Sequence, residues 1–185
     1  MIYVIDHEDS FTYNLVHLLE GFAPTFVSNY YDLDRKKLER SKIIVFSPGP
    51  GDPSHYPETQ KIYQKYKGSK KIIGICLGFQ QILYAENADI IPQKKIYHGY
   101  QSKIITLNES VLFKPNKTFL VGRYHSLKLK EPFKSLSLKI TMRCIETNVA
   151  MAIEDTINNV YGFQFHPDSF LTVDGKFLIQ KIIQA

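Results

Sequence analysis

Two hydrophobic rhythms divide the chain. In the first half, short apolar runs alternate with segments whose apolar residues recur every three or four positions. Ile2 to Asp6 is strand-like, and Phe11 to Leu19 places Phe11, Leu15, Leu18 and Leu19 at helical spacing. Thr25 to Ser28 and Lys42 to Phe46 read as strands, the second running into the turn-rich Ser47-Pro48-Gly49-Pro50-Gly51-Asp52-Pro53. Thr59 to Tyr66 reads as a helix closed by Gly68, Lys71 to Cys76 as a strand, and Phe79 to Ala85 as a helix. Repeated strand-then-helix alternation predicts a parallel sheet covered by helices on both faces.

The second half is dominated by strand signals separated by short polar turns. Ser102 to Leu107, Thr118 to Tyr124, Leu136 to Met142, Val149 to Glu154 and Val160 to Phe165 suggest hairpins or a meander joined to the main sheet. The chain closes on a helix over Asp174 to Gln184, with Phe177, Leu178, Ile182 and Ile183 apolar. No internal repeat, low-complexity tract or linker interrupts it. A single α/β domain spanning 1–185 is expected.

Composition narrows the function classes. A chain of 185 residues can bury about 70% of its unfolded surface. Its 44% hydrophobic and 22% charged residues are those of an ordinary globular protein. The N-terminus opens directly on a strand, so no signal peptide is expected, and no apolar run approaches the ~20 residues of a membrane span. Two cysteines without paired spacing suggest neither a disulfide framework nor a zinc site, and the cytoplasm is the expected compartment. The net charge of +5 raises nucleic-acid binding. However, the basic residues are spread along the chain, and pairs such as Lys36-Lys37, Lys70-Lys71 and Lys94-Lys95 read as solvated faces. Neither a nucleic acid nor a membrane is an expected partner.

Candidate chemistry centres on Gly74-Ile75-Cys76-Leu77-Gly78, between a strand and a helix. A nucleophile at such a turn is held in a strained backbone conformation, and its neighbours two residues away must be very small. Cys76 would also lie at a helix N-terminus, where free N–H groups favour a thiolate. Free cysteines mostly act as small buried hydrophobes, but a packing cysteine needs no flanking glycines. Cys144 lacks them and reads as core.

A thiol nucleophile needs a base and an oxyanion site. His166 follows a strand and precedes Pro167, so it can meet Cys76 at the carboxyl edge of a parallel sheet. Asp168 could reach the other imidazole nitrogen, the third role of a triad. Considered alone, His166 would more often be a surface or capping histidine, but His7, His17, His55, His98 and His125 all lack its combination of strand end, proline and carboxylate. The Leu77 N–H is the natural first oxyanion donor and the Gly51 N–H a plausible second. The Gly51 loop could equally be a rigid surface turn.

These residues carry a resemblance. Asp9-Ser10-Phe11-Thr12-Tyr13-Asn14, Ser47-Pro48-Gly49-Pro50-Gly51, Gly74-Ile75-Cys76-Leu77-Gly78 with Gln80, Arg123-Tyr124-His125-Ser126-Leu127 and Phe163-Gln164-Phe165-His166-Pro167 occur in this order along the chain. Together they resemble the class I glutamine amidotransferases, most of all the glutaminase subunits (component II) of anthranilate synthase and of aminodeoxychorismate (para-aminobenzoate) synthase.

The resemblance implies a flavodoxin-like α/β fold and a catalytic set of Cys76, His166 and Asp168. It also implies an oxyanion hole from Gly51 and Leu77, and glutamine held by Gly49, Pro50, Gly51, Gln80, Ser126 and Leu127. The implied partner is a chorismate-aminating synthase subunit that receives ammonia. The segments Asp9–Asn14 and His98-Gly99 match regions near that partner. No cofactor is implied for this chain, whereas the partner is expected to use magnesium.

Three positions depart from the family pattern. Phe79 replaces a usual His, Asp168 a usual Glu, and Tyr100 a smaller or basic residue. The first two leave open a catalytically impaired regulatory or assembly subunit. The matches at Asp9–Asn14 and Arg123–Leu127 disfavour a further alternative, a free-standing γ-glutamyl cysteine hydrolase.

Overall fold

The structure, a computed structural model, describes all 185 residues. Its elements in chain order are β1 (Ile2–Asp6), α1 (Thr12–Glu20), β2 (Thr25–Asn29), α2 (Arg35–Arg40), β3 (Ile43–Phe46), α3 (Pro57–Tyr66), β4 (Lys71–Ile75) and α4 (Leu77–Ala85). There follow β5 (Ile90–Pro92), β6 (Tyr100–Thr106), β7 (Thr118–Arg123), β8 (Leu127–Leu129), β9 (Lys139–Cys144), β10 (Ala150–Asp155), β11 (Val160–Phe163) and α5 (Gly175–Gln184). A nine-stranded sheet runs β2-β1-β3-β4-β11-β10-β9-β6-β7. The five strands from β2 to β11 are parallel, and the remaining pairs are antiparallel.

Strand periodicity explains the layering. Along β1, Ile2 and Val4 face one side, where they join Val45, Ile73 and Ile75 beneath Leu15 and Leu19 of α1 and Leu178 and Ile182 of α5. Tyr3 and Ile5 face the other side with Ile44, Phe46 and Ile72, covered by Leu38 of α2, Ile62 and Tyr63 of α3, and Phe79 and Ile82 of α4. Each fully buried aliphatic side chain contributes about 1.5–3 kcal/mol. Two apolar faces on one set of strands therefore demand helices on both sides.

The expected α/β architecture, a mostly parallel centre with antiparallel strands added by the second half, is the one found. Differences lie in the small elements. The strand expected over Leu136 to Met142 begins only at Lys139. Leu136 stands wholly exposed and only Leu138 turns inward, so the apparent alternation there serves a loop. The short α2 and the antiparallel β5–β8 pair had no expectation in the sequence.

Lys71 is a correction. It is buried rather than solvated, and its Nζ donates to the carbonyls of Ile182 (2.7 Å) and Ile183 (3.0 Å). It thereby serves the Ile183 carbonyl at the end of α5 and reinforces the Ile182 carbonyl, which accepts only a long bond (3.3 Å) from the Ala185 N–H. Its neighbour Lys70 donates to the carbonyls of Glu39 and Ser41. Apolar periodicity carries no sign of such a cap, because the bonds come from the other end of the chain.

Candidate active site

The thiol is held by its backbone. Cys76 occupies the single residue between β4 and α4, with φ 53° and ψ −101°. Such a conformation costs an L-residue about 1–3 kcal/mol and persists only where the surroundings enforce it. Here the Cys76 N–H donates to the Phe163 carbonyl (2.8 Å) and its carbonyl accepts from the Gln80 N–H (3.2 Å). The two glycines are steric requirements. A Cβ on Gly74 would stand 2.3 Å from the Gly78 oxygen, and one on Gly78 would stand 2.1 Å from the Phe46 oxygen. The nucleophile-elbow reading of the sequence is thus the geometry found.

His166 arrives from the other half of the sheet. After β11 the chain forms an isolated antiparallel bridge with Gly122, through a His166 N–H to Gly122 carbonyl bond of 3.0 Å. The His166 carbonyl accepts from the Thr172 hydroxyl (2.5 Å) and more weakly from the Ser169 N–H (3.3 Å). The following turn is packed so closely that a Cβ on Gly175 would stand 1.8 Å from the Pro167 oxygen.

The imidazole itself is nearly sealed from solvent, between the rings of Phe11 (centroids 5.1 Å apart) and Tyr124 (4.9 Å). Its Nδ1 stands 3.7 Å from Asp168 Oδ1, close enough for attraction between charges but too far for a hydrogen bond. Neither ring nitrogen and neither Asp168 oxygen has a hydrogen-bond partner in the chain. Burial works to lower the proton affinity of the ring. The Cys76 sulfur and the Asp168 carboxylate outweigh it, and the imidazole pKa is raised from 6.5 to about 10. Cys76 from the first half of the chain and the neighbouring His166 and Asp168 from its end therefore form one electrostatic unit.

The other expected site residues are placed unevenly. Leu77 is the first residue of α4, where an N–H has no acceptor within its own helix, and the Gly51 N–H donates to no main-chain acceptor. Gly49 packs against the elbow, since a Cβ there would stand 2.6 Å from Leu77 Cδ2. Pro50 is exposed and its carbonyl accepts from the Tyr56 hydroxyl (2.8 Å). Gly51 is exposed at φ +78°, a conformation that favours glycine, and it faces His55. Gln80 is buried and its amide N donates to Gln164 Oε1 at 3.0 Å. Ser126 is exposed and Leu127 half-buried, next to the buried His125. Phe79 is wholly buried in the core beside Gly162, so in this chain the position packs rather than hydrogen-bonds.

Two features were not assigned roles from the sequence. Gln164, fully buried, sends its amide N toward Cys76 Sγ at 3.9 Å and the Cys76 carbonyl at 3.5 Å. A glutamine inside an apolar strand end is itself a signal, because a buried amide must find partners.

The second is a cluster around Arg123, a fully buried guanidinium that forms no ion pair. It lies 3.5 Å over the Tyr97 ring and donates to His125 Nε2 (3.0 Å), Gln93 Oε1 (3.4 Å) and Cys144 Sγ (3.5 Å). Burial, reinforced by Arg123, lowers the His125 pKa to about 3. Cys144 is only 1% exposed, in agreement with its reading as a core residue.

Comparison with known proteins finds relatives along the whole chain. Residues 3–185 match the family model described as glutamine amidotransferase class-I. Over 99% of its length the chain is 36% identical to the anthranilate synthase component 2 of Lactococcus lactis, covering 93% of that protein. It is 34% identical to the component of the same name from Cyanidium caldarium, over 99% of this chain and 97% of that one. Among solved structures, a Thermoplasma acidophilum protein provisionally described as part of a GMP synthase superposes with a TM-score of 0.84. That match covers 99% of this chain and 92% of the other at 20% identity, so it speaks for the fold alone. A family match over nearly the whole chain and relatives more than 30% identical along its length give the same answer: the chain belongs to the class I glutamine amidotransferases.

Proposed function

We propose that this chain is the glutaminase subunit of a chorismate-aminating synthase. It would hydrolyse L-glutamine at Cys76 and hand the ammonia to a synthase partner that makes anthranilate or aminodeoxychorismate. The observation that carries this reading is the strained Cys76, set in one electrostatic unit with a buried imidazole. The names of the relatives in Lactococcus lactis and Cyanidium caldarium support the choice of partner.

In the reaction proposed, the Cys76 thiolate attacks the side-chain amide carbon of glutamine while its proton resides on His166. Negative charge then develops on the amide oxygen, which the free N–H groups of Leu77 and Gly51 receive. One such donor contributes roughly 3–4 kcal/mol. The imidazolium returns its proton to the leaving nitrogen, the C–N bond breaks, and ammonia departs from a γ-glutamyl thioester. Water then attacks the thioester, its proton passing through His166, to give glutamate and restore the thiol. Asp168 holds the imidazolium charge. Gly49, Pro50, Gln80, Ser126 and Leu127 would form the wall against which glutamine lies. Any magnesium used in the chorismate chemistry belongs to the partner.

A second reading, a non-catalytic regulatory or assembly subunit that keeps the fold, draws on the missing hydrogen bond between His166 and Asp168. One experiment separates the two: ammonia release from glutamine by the complex with its synthase, in wild type and Cys76→Ser. Release abolished by the substitution supports catalysis at Cys76. Release that survives it, or is absent from the wild type, rules the catalytic reading out.

A further inference from the structure

His166 differs from the other buried histidines in how its ring is held. His7 has Nδ1 3.3 Å from Ser47 Oγ and Nε2 2.9 Å from Thr59 Oγ1. His125 has Nε2 3.0 Å from Arg123 Nε and Nδ1 2.8 Å from the Leu127 carbonyl. His166 has no hydrogen bond at either nitrogen, and the carboxylate that could supply one stops at 3.7 Å. The torsion that sets an imidazole plane is intrinsically soft. Attraction to Cys76 and Asp168 draws the ring toward them, but no hydrogen bond of normal geometry sets its plane, so the packing around it bears on the angle at which it meets the thiol.

Two rings supply that packing. Phe11 and Tyr124 each meet the imidazole in a T-shaped arrangement, with interplanar angles of 63° and 68°. They also touch one another, centroids 4.8 Å apart, so the three rings close a triangle. Edge-to-face contact is the arrangement that ring quadrupoles favour.

Both aromatic rings are themselves anchored. The Tyr124 hydroxyl lies 3.0 Å from Ser169 Oγ, in the turn that carries His166, and that Oγ also accepts from the Leu171 N–H. The Phe11 N–H donates to Asp9 Oδ1 at 2.8 Å. Upstream, Asp6 Oδ1 accepts from the Glu8 N–H and the Thr12 hydroxyl, both at 2.8 Å, which pins the loop before α1.

We propose that Phe11 and Tyr124 are positioning residues for His166, fixing the imidazole plane that Asp168 stands too far away to fix by a hydrogen bond. The inference deepens the glutaminase reading and rests on it for its kinetic consequences, though not for the ring geometry. Asp168 then acts through its charge, and the aromatic pair through shape. Lengthening the carboxylate by one methylene would restore the bond and relieve the rings of the task.

The test is glutaminase kinetics of the complex with its synthase, together with ¹⁵N chemical shifts of the His166 ring in the free chain. Phe11→Leu keeps the bulk and removes the ring. It should lower kcat by about 100-fold with KM changed by less than about threefold, the size of loss expected when a reacting group is misplaced. Phe11→Tyr and Tyr124→Phe, which keep the rings, should stay within about fivefold of wild type, because a retained ring retains the geometry. Adding Asp168→Glu to Phe11→Leu should recover most of the lost kcat.

In the ring spectrum, Phe11→Leu should replace one well-defined imidazole state by an averaged one. A purely structural role would instead move KM and folding together and would show no rescue. The proposal is overturned if Phe11→Leu leaves both kcat and the imidazole signals unchanged, or if Asp168→Glu restores nothing. If the wild-type complex releases no ammonia from glutamine, it is the glutaminase reading that fails, and the imidazole spectrum alone then decides the positioning role.

Discussion

The two halves of the candidate site are built by opposite means. On the thiol side, the backbone does the holding: Cys76 at φ 53°, two glycines with no room for a methyl group, and main-chain bonds to Phe163 and Gln80. On the imidazole side, the main chain of His166 is bonded to Gly122, Thr172 and Ser169, but its ring is set by aromatic neighbours and by no hydrogen bond. The first half tolerates no change of shape at its glycines. The second depends on side chains that could be exchanged for others of similar shape. Sterics thus fix where the nucleophile stands, and packing with electrostatics fixes how its base is presented.

Gly78→Ala attacks the thiol side most severely. Its new Cβ would start 2.1 Å from the Phe46 oxygen, a main-chain atom that cannot swing away. A loss of about 3 kcal/mol in unfolding free energy is expected, at the upper end of overpacking effects. Urea titration measures it, and a loss below about 1 kcal/mol would mean that the elbow is softer than its contacts imply.

On the imidazole side, Arg123→Lys removes the planar fork that stacks on Tyr97 and serves His125, Gln93 and Cys144. The acceptors left unserved make a loss of about 2 kcal/mol the expected result of the same titration. No loss would show that the buried guanidinium contributes nothing beyond what a lysine supplies.

The gentlest probe is acid. His7 and His125 hold pKa values of about 4 and about 3 against 6.5 for an unperturbed histidine, each lowered chiefly by burial. The folded state therefore binds these protons more weakly than the unfolded state. Their contribution to stability is complete above pH 6.5 and is lost as the pH falls toward those values. His166 has the opposite sign: its contribution is complete below 6.5 and fades as the pH rises through about 10. Thermal melts across that range should decline at both ends. His125→Gln should flatten the acid limb alone, and a limb left unchanged would contradict the assignment.

The thiol side was legible in the sequence because its constraint is local. Glycines two residues either side of Cys76 state the steric demand within five positions. The parallel strands were legible for a similar reason, since runs such as Ile43-Ile44-Val45-Phe46 carry their burial in their composition. His166 could be singled out by its strand end, its proline and the carboxylate beyond. Its relation to Phe11 and Tyr124 could not, because those contacts join three segments that periodicity treats as independent. The 3.7 Å gap to Asp168 is about as small as one methylene could close, a distance that no residue pattern expresses. Lys71 is not legible as buried, because a lysine beside a lysine looks like surface until a helix end from the far terminus is laid against it.

The most direct test is to quench the complex with acid during turnover of isotopically labelled glutamine and to map the γ-glutamyl adduct by mass spectrometry. The adduct should sit on Cys76 in the wild type and should be missing from Cys76→Ser. Label on Cys144, or ammonia released at the wild-type rate with no adduct on Cys76, would contradict the account.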